Sequence, residues 1–138
     1  MLLFSDKMCS ALEKHGLIKN KSLFVEFPCF SDDIMPSFIR GMWDGDGTLG
    51  LYKERKINVS LTATKMFCDG LQKYLSNKLN IHSSNIYDAS CHNGVTKVFQ
   101  ICKNSDKIKF LEWMYKDADI YLQRKYEKYL QIINYYYK

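Results

Sequence analysis

A chain of 138 residues makes one domain, large enough to bury most of the surface that its unfolded form exposes, so neither disulfides nor a structural metal is required. Five cysteines, odd in number and without a CxxC pair, argue against a disulfide-rich secreted scaffold, and no apolar stretch approaches the ~20 residues of a membrane span. We therefore expect an intracellular protein of the cytoplasm or of an organellar matrix. A formal charge of +5 with 14% aromatic residues permits nucleic-acid binding without demanding it.

The first 35 residues are predicted to form an accessory segment, and residues 36–138 the main domain. Ser5 to His15 has the apolar spacing of a short helix, and Gly16 suits the position after its end. An extended stretch follows and ends at Pro28. The residues of this segment assign it no function.

The stretch from Pro36 to Gly47, PSFIRGMWDGDG, is predicted as the helix around which the domain is organised. Pro36 suits the first turn, where its missing N–H has no consequence. Side chains able to cap the helix precede it, namely those of Ser31, Asp32 and Asp33. We call this predicted helix the motif helix.

Two features of the motif helix point to partners outside it. Ser37, Gly41 and Gly45 recur every four residues, so one edge has almost no side chains and allows another helix to approach. Asp44 and Asp46 lie at the C-terminus, where the helix dipole disfavours each carboxylate by about 0.3–1 kcal/mol. We therefore expect a contact surface along the edge and a positive group near the two carboxylates.

Two strands are predicted directly after the motif helix. They span Thr48 to Tyr52 and Ile57 to Thr64, and the charged turn from Lys53 to Lys56 joins them. Apolar and polar residues alternate in the second strand, so one face should be core and the other wet. The polar residues expected on the wet face are Asn58, Ser60, Thr62 and Thr64.

The remaining elements complete an α+β pattern. A helix capped by Thr64 is predicted from Lys65 to Leu79, and a helix capped by Ser105 to about Tyr115. Asn93-Gly94 predicts a hairpin between Asn85–Cys91 and Val95–Cys102, whose facing the pattern leaves open. A last amphipathic helix includes Leu122 to Ile133. The order αββαββα predicts one four-stranded antiparallel sheet with helices on a single face.

The residues Ile39 to Gly47, IRGMWDGDG, resemble the signature of the LAGLIDADG homing endonucleases. Arg40 stands where the family name has Ala. The resemblance extends over roughly Ser31 to Ile133 and includes the element order. It implies a site-specific endonuclease of double-stranded DNA, associated with intron or intein mobility. Because the motif occurs once, it also implies a homodimer, since the family's active site needs two motif helices side by side.

The resemblance assigns roles at the foot of the motif helix. Asp46, with Gly45, is expected to bind a catalytic Mg²⁺ or another divalent cation such as Mn²⁺. Lys125, or alternatively Arg124, is expected to polarise the attacking water or screen the phosphate. Lys65 stands where the family places a polar pocket residue and is the third catalytic candidate.

The resemblance also assigns two surfaces. The dimer interface is expected to use Ser37, Gly41, Met42 and Gly45. Duplex DNA is expected to lie on the wet face of the sheet, with lysines and Arg55 at phosphates and the other residues at bases. The residues expected to contact DNA are Tyr52, Lys53, Arg55, Lys56, Asn58, Ser60, Thr62 and Lys97.

Other interpretations of DGDG fit less well. A calcium-binding EF-hand needs oxygen ligands at fixed loop positions that this stretch lacks. A nucleotide-sugar transferase DxD belongs to a much larger fold. An ordinary turn rich in Asp and Gly remains the plain structural interpretation.

Two further interpretations keep the fold and change the function. A regulator or splicing cofactor would bind DNA without cutting it, although the presence of both Asp44 and Asp46 weighs against this. The other hypothesis is that the chain is the C-terminal half of a two-unit endonuclease whose partner half is missing, and the abrupt amino terminus is its main support.

Overall fold

The structure is a computed structural model and describes residues 10–11, 14–15, 26–53, 56–89 and 96–138. Between residues 26 and 138 the elements are α1 (Met35–Asp46), β1 (Gly47–Leu51), β2 (Ile57–Thr64), α2 (Lys65–Leu79), β3 (Ser84–Asp88), β4 (Thr96–Ile101), α3 (Asn104–Tyr115) and α4 (Gln123–Tyr136). The predicted α+β fold and its αββαββα order are confirmed. Most of the helix predicted for Ser5 to His15 lies outside the described residues, as do Arg55 and the Asn93-Gly94 turn.

The four strands form one antiparallel sheet in the order β1-β2-β4-β3. Gly47 pairs with Leu61, and Leu61 pairs with Phe99, so these positions share one face. Leu61 and Phe99 are buried beneath the helices. The helices therefore cover a single face, as predicted, and we call the opposite face the outer face.

The wet face predicted for β2 is only partly exposed. Thr62 is exposed, whereas Ser60 and Thr64 keep 8% and 6% of their surface. Ser60 is small and lies between Thr48 and Gln100 in neighbouring strands, which shield it. Thr64 is buried because its side chain caps α2 and accepts a hydrogen bond from Phe67 N at 3.1 Å.

The Thr64 cap of α2 is confirmed, but the side-chain caps predicted for the other two helices are wrong. Ile34 occupies the N-cap position of α1, and the main-chain oxygen of Ser31 accepts from its N–H instead. The Asp32 carboxylate accepts from Lys78 and Tyr74 of α2. Helix α3 begins before Ser105, with no side-chain cap. The Asp32 carboxylate, which was expected to cap α1, thus binds side chains of α2 instead.

Trp43 fixes the orientation of α1 on the sheet. Its side chain is fully buried, with ring centroids 4.8 Å from Phe110 and 6.4 Å from Phe99. Met35 and Ile39 are buried on the same side of the helix. Because this face is buried, the edge with Ser37, Gly41 and Gly45 points to solvent.

Residues 26–34 pack against the helices. The Phe27 ring contacts Phe67 and Tyr74 of α2, and a Cβ on Gly70 would lie 2.2 Å from the Cβ of Phe27. The domain boundary expected at residue 35 stays a prediction. Among the described helices, none has the length and apolar character needed to cross a membrane.

Candidate functional site

The foot of α1 is the point where the helix ends against the sheet, and Gly47 defines it. Gly47 has an extended backbone with φ −83° and ψ 160°. A Cβ at this position would lie 2.4 Å from Cδ1 of Trp43. The chain therefore passes from α1 into β1 across the face of the buried indole. Asp44 and Asp46 lie in the last turn of α1, directly before this point.

Both carboxylate oxygens of Asp44 accept hydrogen bonds within the chain. One carboxylate oxygen accepts from the backbone N–H of Leu122 at 2.8 Å, and the other accepts from the Tyr115 hydroxyl at 3.2 Å. Burial, together with the nearby Asp44 charge, raises the pKa of Tyr115, so that this hydroxyl keeps its proton at neutral pH. Asp44 therefore joins α1 to α3 and to the loop before α4.

Asp46 differs from Asp44 in its surroundings. Its side chain is exposed, and it has no hydrogen bond or ion pair with any residue that the structure describes. A carboxylate at a helix C-terminus without a partner is electrostatically unfavourable and is available to an external cation. Its availability is consistent with the ligand role expected of it, which stays a prediction.

Lys125 is the positive group at the foot. Its side chain keeps 6% of its surface, and its ammonium donates to the main-chain oxygens of Trp43, at 3.1 Å, and Gly47. These carbonyls lie at the negative end of α1, where a cation is favoured. Burial and the neighbouring Arg124 lower the pKa of Lys125, while Asp44 and Asp46 oppose that shift.

The donor atoms at the foot suit a hard divalent cation. Asp46 offers carboxylate oxygens, and the Gly45 carbonyl is one of the last four of the helix, which have no partner within it. Mg²⁺ accepts one or two carboxylates and fills its other positions with waters and phosphate oxygens. Within the described ranges no three His, Cys, Asp or Glu side chains group together.

The edge of α1 is open. Ser37, Gly41 and Gly45 are exposed, and a Cβ added at either glycine would meet no atom within 4 Å. An exposed glycine inside a helix costs about 0.5–1 kcal/mol relative to alanine. No described residue packs against either glycine to offset this cost, and Met42 beside them is half-buried.

The outer face of the sheet holds most of the residues expected to contact DNA. Tyr52, Lys53, Lys56 and Thr62 are exposed and Asn58 is half-buried, whereas Ser60 is covered. Gln100 was missed because the facing of the second hairpin was open. Its side-chain amide donates to Asn58 Oδ1 at 2.9 Å, so the two amides form a pair on this face.

Two predicted lysines lie away from these places. Lys65 opens α2 and pairs with Asp69 at 2.5 Å. It follows Leu61, the partner of Gly47, by four residues, or about 13 Å along a strand. Lys97 shares its sheet face with Ala63 and pairs with Asp88, so it is not on the outer face. The structure brings neither residue to the surface expected for it.

Arg40 was not predicted as a site residue, yet it connects α1 with α3. The guanidinium is buried and donates to the main-chain oxygens of Met114, at 2.7 Å, and Ile120, at 2.8 Å. A third bond reaches Ser37 Oγ at 3.3 Å. The spacing of Arg40 and Asp44, one helical turn apart, was the available signal, because both then lie on one side of α1.

Comparisons with known proteins agree with this fold. Residues 33–114 match the family described as LAGLIDADG-like domain. The structure of an archaeal intron-encoded homing endonuclease, I-Vdi141I, in complex with DNA is similar in fold. The TM-score is 0.50 at 16% identity, and the match covers 75% of this chain and 69% of that one. No curated protein sequence matches the chain significantly.

Proposed function

Because the chain belongs to the family of LAGLIDADG-like domains, we propose that it is a site-specific endonuclease of double-stranded DNA that acts as a homodimer. The observation that carries the proposal is Asp46, an exposed carboxylate at the foot of the motif helix that has no hydrogen bond or ion pair with any described residue. Asp46 lies in the same turn as Gly45 of the open edge and near the buried ammonium of Lys125.

The homodimer follows from the two incomplete features of a single chain. Pairing the open edges of two α1 helices fills the space beside Gly41 and Gly45. The same pairing brings two Asp46 carboxylates together at the feet. Two carboxylates at close range repel unless they share a proton or bind a cation, so the paired site favours a divalent metal.

The bound metal and the side chains of the protein would have separate roles in cleavage. Asp46 and the Gly45 carbonyl would hold Mg²⁺ or Mn²⁺, which when bound activates water and stabilises the leaving oxygen of a phosphodiester. Lys125 holds positive charge beside Asp46 and neutralises the end of α1. Asp44 keeps the foot joined to Tyr115 and Leu122 and is not expected to ligate.

The outer face supplies the DNA contact. Lys53 and Lys56 are exposed at the end of the first hairpin, where they suit phosphates. Asn58, Gln100 and Thr62 offer hydrogen-bonding groups of the kind that distinguish base edges in a major groove. A dimer would extend this surface along the duplex and favour a roughly palindromic site. Intron or intein mobility in the cytoplasm or an organellar matrix is the expected setting.

Cleavage of the protein's own flanking DNA tests the proposal. The substrate is a duplex that joins the two sequences flanking the gene, incubated with Mg²⁺ or with a chelator. We expect double-strand cleavage by the natural protein with Mg²⁺ only. Asp46→Asn should bind the duplex and leave it uncut, because the fold does not use that carboxylate. Asp69→Asn, at an exposed carboxylate on α2, is the matched control and should cut normally.

The outcomes separate the other functions. Binding without cleavage by every variant, including the natural one, would indicate a regulator or splicing cofactor. A natural protein that stays monomeric at micromolar concentration and does not cut would favour half of a two-unit enzyme.

A further inference from the structure

The loop between α3 and α4, residues 116–122, is held against the motif helix by two side chains of that helix. Arg40 donates to the Ile120 carbonyl oxygen at 2.8 Å, and Asp44 accepts from the Leu122 N–H at 2.8 Å. Stacking of Tyr121 on Tyr126, with ring centroids 4.1 Å apart, fixes the end of the loop on α4. The backbone around Ile120 is therefore anchored on both sides.

The anchored loop presents an apolar side chain to solvent. Ile120 is 81% exposed, more than any other large apolar residue in the described ranges. Leu122 nearby is 39% exposed. A single exposed apolar side chain is ordinary, but one whose backbone is held in place by hydrogen bonds on both sides is preorganised for a contact.

The place in which Ile120 is held borders the open edge of α1. Arg40 and Asp44 each precede one glycine of that edge, so the side of α1 that holds the loop is adjacent to the edge. Ile34, 51% exposed, lies one turn before Ser37 at the other end of the edge. The edge is thus bordered by exposed apolar groups at its end and along its side.

We propose that this loop is a second part of the dimer interface and that Ile120 packs against a second copy of the chain. The inference rests on the homodimer of the proposed function and goes beyond contact between two motif helices. It gives Arg40 and Asp44 a role as positioning residues, which hold the loop at the interface.

The charges beside the edge favour a second copy as the occupant. In a two-fold interface the same surface meets itself, so an unpaired charge would face its own like charge. Arg40 is bound to three oxygen atoms, and Asp44 accepts two hydrogen bonds. Neither is left unpaired when water is excluded, and in this last turn it is Asp46, where the cation is expected, that has no hydrogen bond or ion pair with the part of the chain that the structure describes.

Sedimentation equilibrium of the full chain tests the inference. Ile120→Asp should raise the dimer dissociation constant at least about tenfold, because it places a charge where an apolar contact is expected. Met66→Asp, at a 51% exposed position on α2, is the control and should leave the constant unchanged. Cleavage by the Ile120→Asp protein should recover at high protein concentration, since the foot of each chain is intact.

The outcomes distinguish this inference from the proposed function. A natural protein that never dimerises overturns the homodimer and the loop contact together. A dimeric natural protein with an unchanged constant in Ile120→Asp overturns the loop contact alone, as does equal weakening by Met66→Asp. If circular dichroism shows that Ile120→Asp is unfolded, Ile120→Ser decides by the same comparison.

Discussion

Gly45 and Gly47 are two residues apart, but their surroundings are opposite. A Cβ at Gly47 would collide with the Trp43 ring, whereas a Cβ at Gly45 would meet no atom within 4 Å. One glycine is therefore required by the fold of the chain itself, and the other has no such requirement. Gly47 therefore serves the stability of a single chain, whereas Gly45 is open to the proposed contact with a second chain.

Alanine substitution at the two glycines should give opposite results. Gly47→Ala is expected to lower the free energy of unfolding by about 1–3 kcal/mol, because the indole must shift. Gly45→Ala should leave monomer stability unchanged or raise it by up to about 1 kcal/mol, since alanine favours a helix. Chemical denaturation at low protein concentration measures both. Equal destabilisation by the two variants would show that Gly45 is also packed within the chain.

Three links in the last two turns of helix α1 attach it to elements that lie later in the sequence. Trp43 anchors it in the core, Arg40 binds main-chain oxygens of α3 and the following loop, and Lys125 of α4 closes its end. The hydrogen bonds of Arg40 and Lys125 each join residues more than 70 positions apart. The motif helix is therefore positioned by elements that lie late in the sequence.

Replacing Arg40 tests this attachment. Arg40→Lys keeps the charge but cannot bridge two carbonyl oxygens with a planar group, so we expect a loss of about 1–3 kcal/mol in the free energy of unfolding. Arg124→Lys, at an exposed position on α4, is the matched control and should change stability little. A wild-type melting temperature for Arg40→Lys would contradict the role given to the guanidinium.

Asp106 of α3 accepts hydrogen bonds from Ser83, the residue before β3, and the stability that this contact contributes should depend on pH. Burial alone would raise the pKa of Asp106, but hydrogen bonds from Ser83 together with the charges of Lys109 and Lys103 outweigh it and hold the pKa below its ordinary 3.8. The unfolded chain therefore binds the proton first on acidification, so the contribution is present above pH 3.8 and is lost as pH falls below it. Asp106→Asn should show a smaller loss of melting temperature between neutral pH and pH 3 than the natural protein.

At the scale of the whole molecule, the foot of α1 is half of a site. At this foot each chain offers the Asp46 carboxylate, which has no hydrogen bond or ion pair within the described ranges, and the proposed pairing of two chains makes the two Asp46 carboxylates repel. Metal binding and dimer formation are then thermodynamically linked, since the cation binds the paired state better than the single chain.

Metal removal should therefore weaken the dimer. A chelator is expected to raise the dissociation constant of the natural protein, and Mg²⁺ should lower it again. Asp46→Asn removes the repulsion, so this variant should dimerise in the chelator at least as tightly as the natural protein and respond little to Mg²⁺. Sedimentation equilibrium with and without Mg²⁺ measures both effects. An equal response of the two proteins to Mg²⁺ would place the cation elsewhere.

The extent to which this molecule was predictable also depends on scale. Alternation in β2 and the apolar stripe of α2 predicted their bounds, because local periodicity and burial agree there. The caps of α1 and α3 and the facing of Lys97 were not predictable, because tertiary partners and strand register decide them. A buried Lys125 has the same local pattern as a solvated lysine, so only the resemblance singled it out.

The separation between Lys125 and the motif helix has a consequence for synthesis. Gly47 precedes Lys125 by 78 residues, so a growing chain displays Asp44 and Asp46 well before the ammonium that neutralises the helix end exists. At ribosomal rates of roughly 5–20 residues per second, this interval lasts about 4–16 s. A nascent chain therefore lacks a finished foot throughout this interval, and the proposed DNA-cutting centre would form only after Lys125 and the rest of α4 have been synthesised.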